Sequence, residues 1–221
     1  MRRISMMVLG LTVLAVPLVG QGSALREVKR GGAGISIVVA QPLGAFRRHG
    51  DVAAGVSIFG VGLVRGPGLG LRVEGAWMVY DSDYQGYGVS TKSQLASLAV
   101  GPQFTLGQGP LRPYAFAVAG GSVFWSSASY ADGCGCHDAD YYLDGDVTTT
   151  TSAGAGLLVT VKAKETPISI DLGVRGVRHD FVKYVPTDGI TQNQNGTFSA
   201  QRVESRVEMR IYHIGVAVGL W

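Results

Sequence analysis

The chain has 221 residues, 33 of them glycine, with 16% charged residues and a formal net charge of +3. The length suits one barrel or sandwich domain, the charge content is well below the roughly 25% of ordinary soluble proteins, and a charge so small and scattered excludes a nucleic-acid reading. Outside the N-terminus no 18 consecutive apolar residues occur. This excludes helical membrane spans but not membrane strands, which need only about 9–11 alternating residues.

The chain opens on a targeting pattern. Arg2 and Arg3 precede an apolar run from Met6 to Val19, and Gly22-Ser23-Ala24 supplies the small residues of a cleavage site. Residues 1–24 are therefore expected to be a signal peptide, with 25–221 as the mature barrel domain. The competing reading, a retained helical anchor, has too short an apolar run. No cysteine follows that run, so this is not a lipoprotein signal.

Eight strands are expected in the mature part. The first, about 34–42, sets Ile35, Ile37 and Val39 on one face. Arg47-Arg48-His49-Gly50 reads as a turn. The second covers about 51–64 and ends at the turn Gly66-Pro67-Gly68, where Pro presets and Gly permits the dihedrals. The third, about 69–80, alternates cleanly. Leu71, Val73, Gly75, Trp77 and Val79 face one way, and Arg72, Glu74, Ala76, Met78 and Tyr80 the other. After a polar loop at about 81–93 the fourth strand covers about 94–106, and the fifth about 112–126. A second polar loop spans about 127–147. The sixth strand covers about 148–163, and the seventh about 168–180, with Ile168, Ile170, Leu172 and Val174 opposing Ser169, Asp171, Gly173 and Arg175. A third polar loop, about 181–203, leads to a final strand ending on Trp221.

The connections alternate. Those after the second, fourth and sixth strands are short, while those after the third, fifth and seventh are long. A membrane barrel with both termini on one side shows this parity, and a soluble sandwich has no reason to keep it. The expected fold is an all-β, eight-stranded antiparallel up-and-down transmembrane barrel. Lipid cannot satisfy a bare N–H or C=O, so the strands must close on themselves. One face of each strand then meets hydrocarbon, and the other fills a narrow lumen. Buried charges there must be paired. Arg72, Glu74, Asp171 and Arg175 are the candidates for such a lumen ion-pair network, with Glu208 and Arg210 as further inward candidates. Trp77, Tyr80, Tyr114, Phe124, Trp125 and Trp221 lie near strand ends, as interfacial girdles would require.

Three stretches carry a family likeness: Gln41-Pro-Leu-Gly-Ala-Phe46 leading to Val52-Ala-Ala-Gly-Val-Ser-Ile-Phe-Gly60, Arg112-Pro-Tyr-Ala-Phe-Ala117, and Gly215-Val-Ala-Val-Gly-Leu-Trp221. On these and the signal pattern the chain resembles the OmpA-like, eight-stranded group of small outer-membrane barrels. The resemblance implies location in the bacterial outer membrane, contact with membrane lipid and lipopolysaccharide, and recognition of the last strand by the barrel-assembly machinery. It implies no catalytic residue. Ile214, Val216, Val218 and Leu220 are out of step with Trp221, a departure from the family pattern that needs either a bulge in the last strand or a loosely followed signal.

Few constellations suggest chemistry. Cys134 and Cys136 sit in the second long loop, and in an exported chain they are candidates for a small local disulfide. One Cys-x-Cys with His137 is a weak metal pattern, and Asp138, Asp140, Asp144 and Asp146 do not match an EF-hand. His179 beside Asp180 could mimic part of a lipid-hydrolase site, but no serine lies in a nucleophile motif. Asn195-Gly-Thr197 reads as a turn. No catalytic, cofactor or metal residue is assigned. The leading functional reading is a monomeric structural, surface-interaction or adhesion barrel acting through its loops. The alternative is a narrow channel for small or apolar molecules, followed by a soluble ligand-binding barrel and an outer-membrane lipid hydrolase.

Overall fold

The computed structural model describes residues 31–48, 52–65, 68–85, 89–107, 109–131, 138–162, 166–184, 190–192 and 198–219. The barrel strands are β1 (Gly31–Leu43), β2 (Ala53–Arg65), β3 (Leu69–Gln85), β4 (Val89–Thr105), β5 (Leu111–Ala131), β6 (Asp138–Lys162), β7 (Ile168–Tyr184) and β10 (Val203–Gly219). Each is antiparallel to its neighbours in sequence, and β1 pairs with β10, from Gly32 opposite Gly219 to Leu43 opposite Glu208. The ring is closed, an eight-stranded antiparallel up-and-down barrel. A two-stranded hairpin, β8 (Ile190–Gln192) and β9 (Phe198–Ala200), lies between β7 and β10.

The alternation dictates two walls. On β3, Leu71, Val73 and Trp77 are exposed, while Arg72, Glu74, Ala76, Met78 and Tyr80 are buried. Ile35, Ile37 and Val39 on β1, and Tyr212, Ile214, Val216 and Val218 on β10, also stand outside. Large apolar groups cover the outside, while buried charges and hydroxyls share the inside with an apolar core, the arrangement of a transmembrane barrel. Trp77 lies at the loop end of this band and donates its indole N–H to Gln94 Oε1 at 3.2 Å, the amphipathic pose of an interfacial tryptophan. Val73, 46% exposed on the outer wall, sits well inside the apolar band. Val73→Arg is expected to cost about 2–4 kcal/mol, read as a lowered denaturant midpoint of the micelle-folded protein.

Four expectations change. The polar segments 81–93 and 127–147 are largely strand: β3 runs on to Gln85 and β4 begins at Val89, while β5 and β6 run on to Ala131 and from Asp138. Polarity suggests loop here, but Thr, Tyr, Val and Ser pair well in ribbons whose backbone bonds each other. Beyond the last β6–β7 pair, Asp146 carries the junction, accepting the Lys183 amide at 2.8 Å. Secondly, the expected turn after β1 is a 3-10 segment, Gly44–Arg48, entered through Gly44 at φ +59°. It turns Phe46 into the lumen, where that ring is fully buried.

Thirdly, Tyr80, Tyr114 and Phe124 do not belong to an interfacial girdle, since all three are buried inside. Their parity along the strand, rather than their nearness to its end, sets their direction. Fourthly, Arg210 is exposed on the outer wall and Glu208 lies there beside it, because on β10 the odd positions Val207, Met209, Ile211 and His213 take the inside. Glu208 instead pairs with Arg178 at 3.6 Å on the surface. A bulge does exist beside β10, away from its end. His179 pairs with Val207 and Phe181 with Arg206, so Asp180 of β7 is the extra residue. It flips the parity of β7 and sends Val182 and Tyr184 inward.

Candidate functional site

Among the described residues the lumen concentrates the buried polar chemistry, and it is built in layers. Nearest the short-turn end, Arg112 of β5 donates from Nη2 to Thr160 Oγ1 at 3.1 Å and Ser169 Oγ at 3.2 Å. These two hydroxyls lie 3.1 Å apart. The β6–β7 hairpin thus receives β5's guanidinium.

Above this sits a carboxylate clamped by two arginines. Glu74 Oε2 accepts Arg72 Nε at 2.9 Å and Nη2 at 2.7 Å, and Glu74 Oε1 meets Arg175 Nη1 from the far side of the barrel. Arg72 also donates Nη1 to Gln103 Oε1 at 3.0 Å, whose amide nitrogen continues to Thr105 Oγ1 at 3.1 Å. The Arg72 guanidinium lies between the rings of Phe59 and Phe116, 4.0 and 4.4 Å from their centroids. Ring faces are negative, so they stabilise the cation while walling it from water. Charge-assisted bonds of this kind are the strong ones, and a desolvated ion cluster requires that every member be held.

Beside it, Tyr114 donates its phenolic proton to Asp171 Oδ1 at 2.6 Å. A hydroxyl has one proton, so its oxygen accepts from His213 Nε2 at 2.9 Å. His213 Nε2 also lies 3.5 Å from Asp171 Oδ2. Three glycines make room for these rings. A Cβ at Gly34 would strike the Phe59 ring, at Gly156 the Tyr114 phenol, and at Gly173 the His213 imidazole.

Toward the loop end the lumen becomes apolar. Phe46 packs on Tyr80 at 5.4 Å and Tyr184 at 5.5 Å between centroids, Tyr80 on Phe124 at 6.0 Å, and Phe124 edge-on to His179 at 5.0 Å. Val38, Met78, Leu95, Val182, Met209 and Ile211 complete this plug.

The structure thus places Arg72, Glu74, Asp171 and Arg175 on the inner wall, all nearly or fully buried, but in two neighbouring groups: Arg72, Glu74 and Arg175 form one, and Asp171 belongs with Tyr114 and His213. Sequence reasoning does not single out Gln103, Arg112 and Tyr114 for the network, and it reads His213 on the last strand only as a lumen or interface residue. The signal for Arg112 and Tyr114 is present, since residues 112, 114 and 116 share one face of a strand whose other face is alanine. His179 is buried inside, while Asp180 stands outside, 3.8 Å from Arg206. The two point to opposite sides of the wall and make no joint surface site. No cluster of three or more metal-ligating side chains occurs among the described residues. Cys134, Cys136 and Trp221 lie outside the described residues, as does the expected signal peptide.

The chain matches no protein-family model and no curated protein. Among solved structures it is similar to Neisserial surface protein A, at 15% identity over 85% of this chain and 96% of that one, with a TM-score of 0.48. It is similar to Ail, the attachment invasion locus protein of Yersinia pestis, in complex with the heparin analogue sucrose octasulfate, at 11% identity over 86% and 96% of the two chains, with a TM-score of 0.45. It is also similar to the outer membrane protease OmpT of Escherichia coli, at 7% identity over 87% and 97%, with a TM-score of 0.43. These are likenesses of chain path, and no residue role passes from them to this chain.

Proposed function

We propose that this chain is a bacterial outer-membrane barrel, exported through residues 1–24, whose work is structural and surface-directed and whose lumen is a strut rather than a conduit. The observation that carries the reading is the filled interior. The Glu74 cluster closes the lumen below and the Phe46 plug closes it above. Each guanidinium of this network is already held by a partner.

The loop end supports the other half of the proposal. β5 has 21 residues and β6 has 25, against the roughly 9–11 that cross a bilayer. Their paired extension rises beyond the apolar band as a ribbon, a rigid base for contact with a partner outside. In this reading the last strand, ending at Trp221, addresses the barrel-assembly machinery. The protein is a monomer surrounded by lipid and lipopolysaccharide, and it has no catalytic role.

Conductance decides between strut and channel. Purified protein reconstituted in planar bilayers is expected to give no steady single-channel steps at neutral pH. Reproducible unitary steps from the unaltered protein would replace this reading with the transport one.

A further inference from the structure

The outer wall carries a hollow of about 640 Å³ that the apolar band does not explain. Two rows of strand-paired residues run along it. Arg210 pairs with Gly176, Gly176 with Ala153, and Ala153 with Ala117; Glu208 pairs with Arg178, Arg178 with Thr151, and Thr151 with Ala119. Of these, Arg210, Gly176, Ala153, Ala117, Arg178, Thr151 and Ala119 are exposed, and the small residues lie on three strands, Ala117 and Ala119 on β5, Thr151 and Ala153 on β6 and Gly176 on β7. Rows perpendicular to strands slope, because barrel strands tilt by about 35–45°. Arg178 stands past the middle of β7, while Val100, opposite Ala119, stands near the foot of β4. The trough therefore starts among charges at the loop-end border of the apolar band and descends into the hydrocarbon.

Its upper end is lined by one cation and one anion, Arg178 and Glu208, and bordered by a second cation, Arg210. Glu208 is engaged by Arg178 at 3.6 Å, and Asp180 lies 3.8 Å from Arg206. Arg210 is exposed beside the trough, opposite its Gly176, and among the described residues it forms no ion pair. An apolar slot with a cation at its interfacial end complements one kind of molecule, an amphiphile with a negative head. We infer that this trough is a binding site for a membrane lipid with a phosphate-bearing anionic head, its acyl chain lying over Ala117, Ala153 and Gly176 and its phosphate on Arg210. The inference rests on the membrane reading proposed above.

The test uses the mature chain in micelles carrying equal amounts of phosphatidylglycerol and phosphatidylcholine of the same chain length, with retained lipid counted by native mass spectrometry. The unaltered barrel is expected to retain phosphatidylglycerol roughly fivefold over phosphatidylcholine, the weight of one interfacial arginine. Arg210→Gln should bring the ratio to about one. Ala153→Phe, which fills the trough, should lower retention of both lipids. Unchanged preference in Arg210→Gln, or unchanged retention in Ala153→Phe, overturns the site. Complete displacement of the lipid by inorganic phosphate also overturns it, since the head alone would then suffice. Each variant is first checked for a heat-modifiable shift on a gel. If the unaltered protein shows none, the membrane-barrel reading fails; if it shows the shift without lipid preference, only the lipid site fails.

Discussion

Glu74→Gln is expected to destabilise the folded barrel by about 3–5 kcal/mol, the cost of removing one partner from a buried ion cluster. Glutamine keeps the shape but not the charge. It leaves Arg72 and Arg175, both nearly fully buried, facing each other across a neutral amide. Asp171 belongs to the neighbouring group, with Oδ1 accepting from Tyr114 at 2.6 Å and Oδ2 3.5 Å from His213 Nε2. The loss should appear as a lower denaturant midpoint with an unchanged slope, since the surface exposed on unfolding is the same. Replacing all three residues together, Glu74→Leu with Arg72→Met and Arg175→Met, should recover most of the loss, because a buried cluster exchanged for packed apolar groups is often neutral. A Glu74→Gln barrel as stable as the parent would mean that water reaches these guanidiniums.

Phe46→Ala carries the second large effect, about 3–5 kcal/mol for emptying a fully buried aromatic position. The ring belongs to a connection rather than a strand, yet it fills the top of the lumen against Tyr80 and Tyr184. Strand pairing is untouched by the change, so the barrel should still shift on heating, but with a lower unfolding midpoint. The same variant should remain electrically silent in bilayers, because the Arg72–Glu74–Arg175 layer still closes the lower lumen. Channel steps from Phe46→Ala would show that the aromatic plug is the sole barrier.

Much of the architecture is legible in the chain because a strand's side chains alternate with a period of two. Leu71 through Tyr80 state which side is lipid and which is lumen, and the short connections at 66–68, 107–110 and 164–166 mark one end of the barrel. The four charges Arg72, Glu74, Asp171 and Arg175 fall on the polar face by the same count. What local pattern cannot express is who meets whom across the ring. Arg175 and Glu74 are 101 residues apart, and Tyr114 and His213 are 99 apart. Those pairs exist only because β1 closes on β10 and sets the stagger of every strand between them.

Direction also escapes the sequence wherever one residue is added to a ladder. The extra residue at Asp180 sends Val182 and Tyr184 inward. The 3-10 turn that buries Phe46 is invisible for the same reason: its ring has a place only after the barrel has made one. The amino-acid order thus determined a closed sheet with an oily outside and charges within. Closure and stagger alone decided how those charges are shared, because a buried ion is stable only beside a partner, and in a barrel the partner comes from across the lumen.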